Sequence, residues 1–293
     1  MNFLPKIAAC LLLCLMAKPA TAQDNRYLPK STTGQIVKHA NYILSYSEKH
    51  EQPEWVAYEL TSTELTKRVS RTDDFRPDPA VKTGSASLAD YKGKGYDRGH
   101  LFPAADGCFS KQAMTESFYM SNMSPQAPEL NRGAWKNLEE QVRKWAKKEG
   151  KIYVVTGPIL SGQNKKIGKN GVTVPSKYYK IVYDLTNTPK CVAFLMPNGK
   201  CAKPRSSYVV SIDKLEALTG IDFFPALPDA VENRMEAQST MSGWTTSTTF
   251  SSSKKTTPAK RAGSVRCKAK TKKTGNRCKN MTKNPKGLCH VHD

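Results

Sequence analysis

Beyond Pro19 the chain has no apolar run long enough to cross a bilayer, which excludes a membrane span in its body. The main body shows no internal repeat, which excludes a solenoid. Acid is scarce: 25 Asp and Glu stand against 46 Lys and Arg, a formal net charge of +21. A strongly acidic, solvating composition is therefore excluded. The shortage is sharpest at the C-terminus, where residues 254–293 carry thirteen Lys and Arg and a single acid, Asp293. A polyanionic partner is the natural inference, because phosphate neutralisation with counterion release rewards clustered Lys and Arg. A solubilising tail is the alternative.

What is present begins with an export signal. Lys6 supplies a positive region, Ile7 to Ala17 an apolar core, and Ala20-Thr21-Ala22 a small-x-small cleavage site. These predict a signal peptide over residues 1–22, cut between Ala22 and Gln23, and a secreted or periplasmic protein. Six cysteines then remain: Cys108, Cys191, Cys201, Cys267, Cys278 and Cys289. Cys191 and Cys201 flank Pro197-Asn198-Gly199, a turn signal. A disulfide and two reduced, half-buried thiols both stay open for that pair.

Composition divides the remainder. Residues 23–49 are polar and punctuated by Tyr, and read as an N-terminal arm. Residues 50–238 form the folded body. Residues 239–263 are a flexible linker rich in Ser, Thr and Lys, and 264–293 a basic Cys/His-rich tail. Within the body, Trp55–Leu60, Leu65–Val69, Ile152–Thr156, Tyr178–Leu185 and Val192–Met196 read as strands, most of them β-branched or aromatic runs bounded by Gly and Pro. Residues 111–120 suit a short helix. Asp213 to Leu218 suits another, with Asp213 and Glu216 at capping-box spacing and Gly220 beyond its end. The clearest helix runs from about Gly133 to Glu149. There Trp135, Leu138, Val142 and Trp145 fall on one apolar stripe, and Gly150 stops it. The fold class is α+β, with a central antiparallel sheet and flanking helices.

The chemistry-bearing run is Tyr96-Asp97-Arg98-Gly99-His100. Alone, His100 reads better as a histidine satisfied in the core. Its surroundings add Arg71-Thr72-Asp73-Asp74-Phe75 upstream. Downstream come Ser121-Asn122-Met123-Ser124-Pro125-Gln126, then Leu130-Asn131-Arg132-Gly133-Ala134-Trp135, then Leu138-Glu139-Glu140. In this order and spacing the segments resemble the DNA/RNA non-specific endonuclease family of ββα-metal (His-Me finger) nucleases, over roughly residues 50–235.

The resemblance implies a metal-dependent endonuclease that hydrolyses DNA and RNA largely without regard to sequence, leaving 5′-phosphate ends. It makes His100 the general base that activates water, a role suited to a group titrating near neutrality. It assigns a Mg²⁺ ion, with Mn²⁺ an alternative, to Asn131, and gives Glu139 the ordering of metal-bound water. Arg71 matches a family arginine that stabilises charge on the phosphate; Arg76 competes for that place. Asn122 and Gln126 match positions that hold the site together. Asp97 and Arg98 are expected to fix the loop and the His100 ring.

Each residue also has a plainer reading. Asn131 can be an N-cap. Glu139 and Arg143 can be an i,i+4 surface pair, although Arg143 is also placed to meet phosphate. A non-catalytic, secreted nucleic-acid-binding protein and a surface protein held by its cationic tail are the rival functions.

In the tail, Cys267, Cys278, Cys289 and His292 make a Cys₃His set suited to tetrahedral Zn²⁺, with His290 an alternative ligand. A segment this small needs a staple, and disulfide is the rival staple. Its Lys and Arg density suits a nucleic-acid-gripping appendage or a disordered cationic tail.

Overall fold

The structure, a computed structural model, describes residues 27–162, 164–186, 188–244, 265–266, 268–269 and 281–282. The expected signal peptide and the tail ligands Cys267, Cys278, Cys289 and His292 lie outside the described residues. The chain divides into two units, residues 1–245 and 246–293. Among the described residues no helix is long and apolar enough to cross a membrane.

The first unit is built on a seven-stranded sheet. Its strands are β1 (Ile36–Lys38), β2 (Ile43–Ser47), β3 (Gln52–Thr61), β6 (Lys151–Pro158), β9 (Lys177–Asp184), β10 (Lys190–Pro197) and β11 (Val209–Val210), in that spatial order. Every neighbouring pair is antiparallel. The small elements between them are α1 (Leu88–Tyr91), β4 (Asp97–His100), α2 (Lys111–Ser117), β5 (Met123–Gln126), β7 (Lys166–Ile167) and β8 (Val172–Thr173). The longer helices are α3 (Lys136–Glu149), α4 (Ile212–Thr219) and α5 (Asp229–Glu236). In the second unit β12 (Val265–Arg266) pairs antiparallel with β13 (Met281–Thr282).

Period-two alternation gives the sheet two buried faces. Val56, Tyr58, Val154, Tyr178 and Val182 share one core with Trp135, Leu138, Val142 and Trp145. Trp55, Ala57, Val155, Ile181 and Tyr183 share the other with Ile212 and Leu215 of α4 and Met235 of α5. The apolar stripe of α3 is thus the seam that fastens the helix to the sheet, each large side chain contributing roughly 2 kcal/mol. Gly150 ends α3 at φ 81°, a conformation that costs a side chain dearly.

Three sequence expectations change, and the choice left open for Cys191 and Cys201 closes on free thiols. The stretch read as an arm supplies β1 and β2, and Ile43 to Ser47 are buried throughout. Leu65–Val69 is not a strand: the Arg68 and Val69 amides both bond the Cys108 carbonyl. The cap of α4 is Ser211, which accepts from the Lys214 amide, rather than Asp213. Cys191 and Cys201 are free thiols packed into opposite cores, and the Cys191 thiol donates to the Met235 carbonyl at 2.9 Å.

Candidate active site

Strands β4 and β5 form a small ladder of their own, with Asp97 opposite Gln126, Gly99 opposite Ser124 and His100 opposite Met123. The chain then turns through Leu130–Trp135 into α3, completing a strand–strand–helix unit. Gly99 is required at its place. A Cβ there would collide with the Gln126 side chain, so with Gln126 where it is the Asp97-Arg98-Gly99-His100 run takes glycine in third position.

His100 lies edge-on to two rings, Phe75 at 5.7 Å and Phe118 at 5.0 Å between centroids. One ring nitrogen is hydrogen-bonded to the Arg98 backbone. The Nε2 atom is buried and has no partner among the described residues. The bonded nitrogen is therefore Nδ1, which donates to the Arg98 carbonyl. That contact fixes the tautomer and leaves the Nε2 lone pair free. Burial first, then the Arg71 and Arg98 charges, pull the imidazole pKa down to about 3. The ring is therefore neutral at neutral pH.

The same two phenylalanines gather the cations. The Arg71 guanidinium lies 4.8 Å over the Phe118 ring and that of Arg98 lies 4.1 Å over Phe75. Arg71 is half-exposed and, among the described residues, forms its one ion pair with the exposed Asp73. Arg76 is committed elsewhere: it bonds Asp74 and the Thr115 carbonyl and stacks on Tyr119. Of the two competing arginines, Arg71 is the one beside the histidine.

Asn131 is not a helix cap. It sits inside a π-helical turn, Leu130–Trp135, kinked at Gly133 (φ −112°, ψ −107°), and the residue before α3 is Trp135. Its Nδ2 donates to Asp97 Oδ2 at 2.9 Å. This orients the amide and leaves its oxygen, which accepts no hydrogen bond from the described residues. A neutral, oriented oxygen donor fits a hard divalent cation such as Mg²⁺. Asp97 also takes two bonds from Arg132, at 2.8 and 2.5 Å. Burial alone would raise the Asp97 pKa; the bonds from Arg132 and Asn131 outweigh it and hold the carboxyl below the usual range. Asp97 therefore aims Asn131, whereas the Arg98 carbonyl aims His100.

Asn122 is fully buried and closes the loop after His100. It accepts from the Phe102 amide at 2.8 Å and donates to the Phe102 and Ser117 carbonyls. Gln126 is buried against Gly99. Glu139 is half-buried, one turn beyond Trp135. Arg143 points inward to Asp106, 2.9 Å away and itself held by the Tyr58 hydroxyl. Burial pushes the Glu139 pKa up, against the pull of Lys180. Sequence reasoning missed Phe75, Phe118, Asp106 and Lys180. Phe75 closes the quoted Arg71–Phe75 run, where it was given no role, and no pattern joins the other three to the motif. A cavity of about 950 Å³ lined by His50, Glu54, Lys166 and Thr173 includes none of the residues gathered around His100.

A strand–strand–helix unit presenting a free imidazole nitrogen, an oriented asparagine and flanking arginines defines a ββα-metal nuclease. The DNA/RNA non-specific endonuclease family profile matches residues 23–230, and the chain belongs to that family. It is 39% identical to the mitochondrial nuclease EXOG of Danio rerio over 64% of this chain and 60% of that protein. It is 34% identical to a nuclease of Nostoc sp. over 80% of this chain and 87% of that one. It is 32% identical to mitochondrial endonuclease G of Bos taurus over 76% and 80%. The chain thus spans less than two thirds of the Danio rerio relative and most of the other two. Among solved structures, the complex of EndoG with its inhibitor EndoGI superposes with a TM-score of 0.62 at 30% identity, over 67% of this chain and 87% of that one.

Proposed function

We propose that the protein is an exported, metal-dependent endonuclease that hydrolyses DNA and RNA without sequence preference. The observation that carries this reading is the buried, unpartnered Nε2 of His100 beside two arginines. A neutral imidazole fixed through Nδ1 offers a lone pair at Nε2, and that lone pair can take a proton from water. Arg71 and Arg98 lie where a phosphate would be drawn in, and its charge would offset their own. As it does so, their pull on the His100 pKa weakens and the base strengthens when substrate is present. Asn131, aimed by Asp97, would hold Mg²⁺ or Mn²⁺ through its oxygen, and Glu139 would order the water around it. The bound cation would neutralise phosphate charge and assist the departing 3′-oxygen. Export rests on the residue pattern of 1–22, and the Cys/His tail with Zn²⁺ on that of 264–293.

The test is incubation of the exported protein with plasmid and with RNA in Mg²⁺, with and without chelator. Nicking and linearisation of plasmid and fragmentation of RNA, both abolished by chelator, are expected. Binding without cleavage at any Mg²⁺ or Mn²⁺ concentration would leave a nucleic-acid-binding protein.

A further inference from the structure

Lys180 is one of the largest fully buried side chains in the molecule, at 0% exposure. It lies on β9 in the middle of the sheet, opposite Thr156 of β6 and Phe194 of β10. Its neighbours Tyr178 and Val182 face α3, and so does Lys180: its Nζ lies 4.9 Å from the centroid of the Trp135 ring. The protein gives this ammonium one hydroxyl, Thr156 Oγ1 at 2.5 Å. Among the described residues no carboxylate comes within 4.0 Å of it. A buried cation with one neutral partner and a ring face is expensive to keep, and a hydrophobic side chain would fill the same place more cheaply.

Two carboxylates beyond that distance act on its charge. Glu139 stands one turn after Trp135 on α3, and Asp106 lies beyond, tied to Arg143 and Tyr58. Asp106 already has a bonded cation and a bonded hydroxyl. Among the described residues Glu139 has neither. Resting on the functional reading above, we infer that Lys180 is a positioning residue: its buried ammonium, anchored on Thr156 and covered by Trp135, is the fixed positive charge that holds Glu139 as an oriented carboxylate. The electrostatics agree, for Lys180 is the foremost charge drawing Glu139 toward ionisation, while Asp106 and Glu140 oppose it and Arg143 assists. Reciprocally, burial lowers the Lys180 pKa, and Glu139 and Asp106 raise it. Lys180 never meets substrate, because it is closed off from solvent.

The experiment compares wild type with K180M, K180R and E139Q. In metal-free protein, the ¹³C signal of the Glu139 carboxyl should titrate at higher pH in K180M than in wild type, and return toward wild type in K180R. In Mg²⁺, kcat of K180M should fall by about 10–100-fold, the usual cost of removing an outer partner of a metal site, with KM within about twofold. K180M should add no further loss in the E139Q background. An unmoved Glu139 titration, or full additivity of the two losses, would overturn the inference. If K180M does not fold, K180Q, which keeps a donor for Thr156 without the charge, carries the same comparison. Absence of metal-dependent cleavage by wild type would defeat the proposed function instead, while the metal-free titration would still decide whether Lys180 governs Glu139.

Discussion

The imidazole of His100 is wedged against Phe75 and Phe118 with Arg71 and Arg98 close by, and the consequences are measurable. Its pKa is depressed, so the folded protein refuses a proton that the unfolded chain accepts. The neutral ring therefore favours folding fully above the ordinary imidazole range. That contribution is lost as pH falls from about 6.5 toward about 3. Metal-free wild type should show His100 titrating near the bottom of that window by NMR, and H100A should lose less stability on acidification. A His100 that titrates near 6.5 would contradict the burial and charge described here. The residue itself was legible, because four letters in a supportive order pointed to it. Its environment was not: Phe118 lies eighteen positions on in the sequence and meets the ring only through the fold.

At the scale of elements, the junction between β5 and α3 carries the site. Asn131 occupies a kinked π-helical turn, which throws its side chain toward Asp97 of β4 instead of along the helix. N131A should therefore reduce Mg²⁺-dependent turnover severely, with partial recovery at high Mg²⁺ or in Mn²⁺, while the melting temperature moves little. The stability lost should be about 1 kcal/mol, the worth of one half-exposed hydrogen bond. Unchanged kinetics beside a lowered melting temperature would return Asn131 to a structural part. In β4, G99A should cost about 1–3 kcal/mol through the clash with Gln126, read from denaturant midpoints; a neutral outcome would mean that Gln126 can withdraw.

The helix α3 was readable from its stripe, and β3, β6, β9 and β10 from their β-branched and aromatic runs. The edge strand β1 and its neighbour β2 were not, because their short polar-flanked sequences gain strand character only by pairing, β2 on β3 and β1 on β2. Leu65–Val69 is apolar only at its two ends, and its Arg68 and Val69 amides are taken by the Cys108 carbonyl.

For the whole molecule, charge and chemistry are separated along the chain. The described site residues lie between Arg71 and Lys180, whereas the densest positive charge lies after residue 253. Deleting residues 245–293 should leave cleavage of short oligonucleotides nearly unchanged. It should weaken binding to long DNA and flatten the plot of log affinity against log salt, because fewer phosphates are neutralised and fewer counterions are released. An unchanged slope would mean that the tail does not touch the polyanion. Metal analysis of the full chain should find about one Zn²⁺, removed by Cys278→Ser; disulfides at Cys267, Cys278 or Cys289 would refute that.

The central claim is that bond cleavage passes through the free nitrogen of His100. The most direct measurement is the single-turnover rate of phosphodiester cleavage in saturating Mg²⁺, for wild type and H100A, with circular dichroism and DNA affinity measured on the same samples. The rate should fall by at least about 100-fold in H100A, as loss of a general base requires, while folding and affinity stay close to wild type. A folded H100A that cleaves at a rate near wild type would contradict the account.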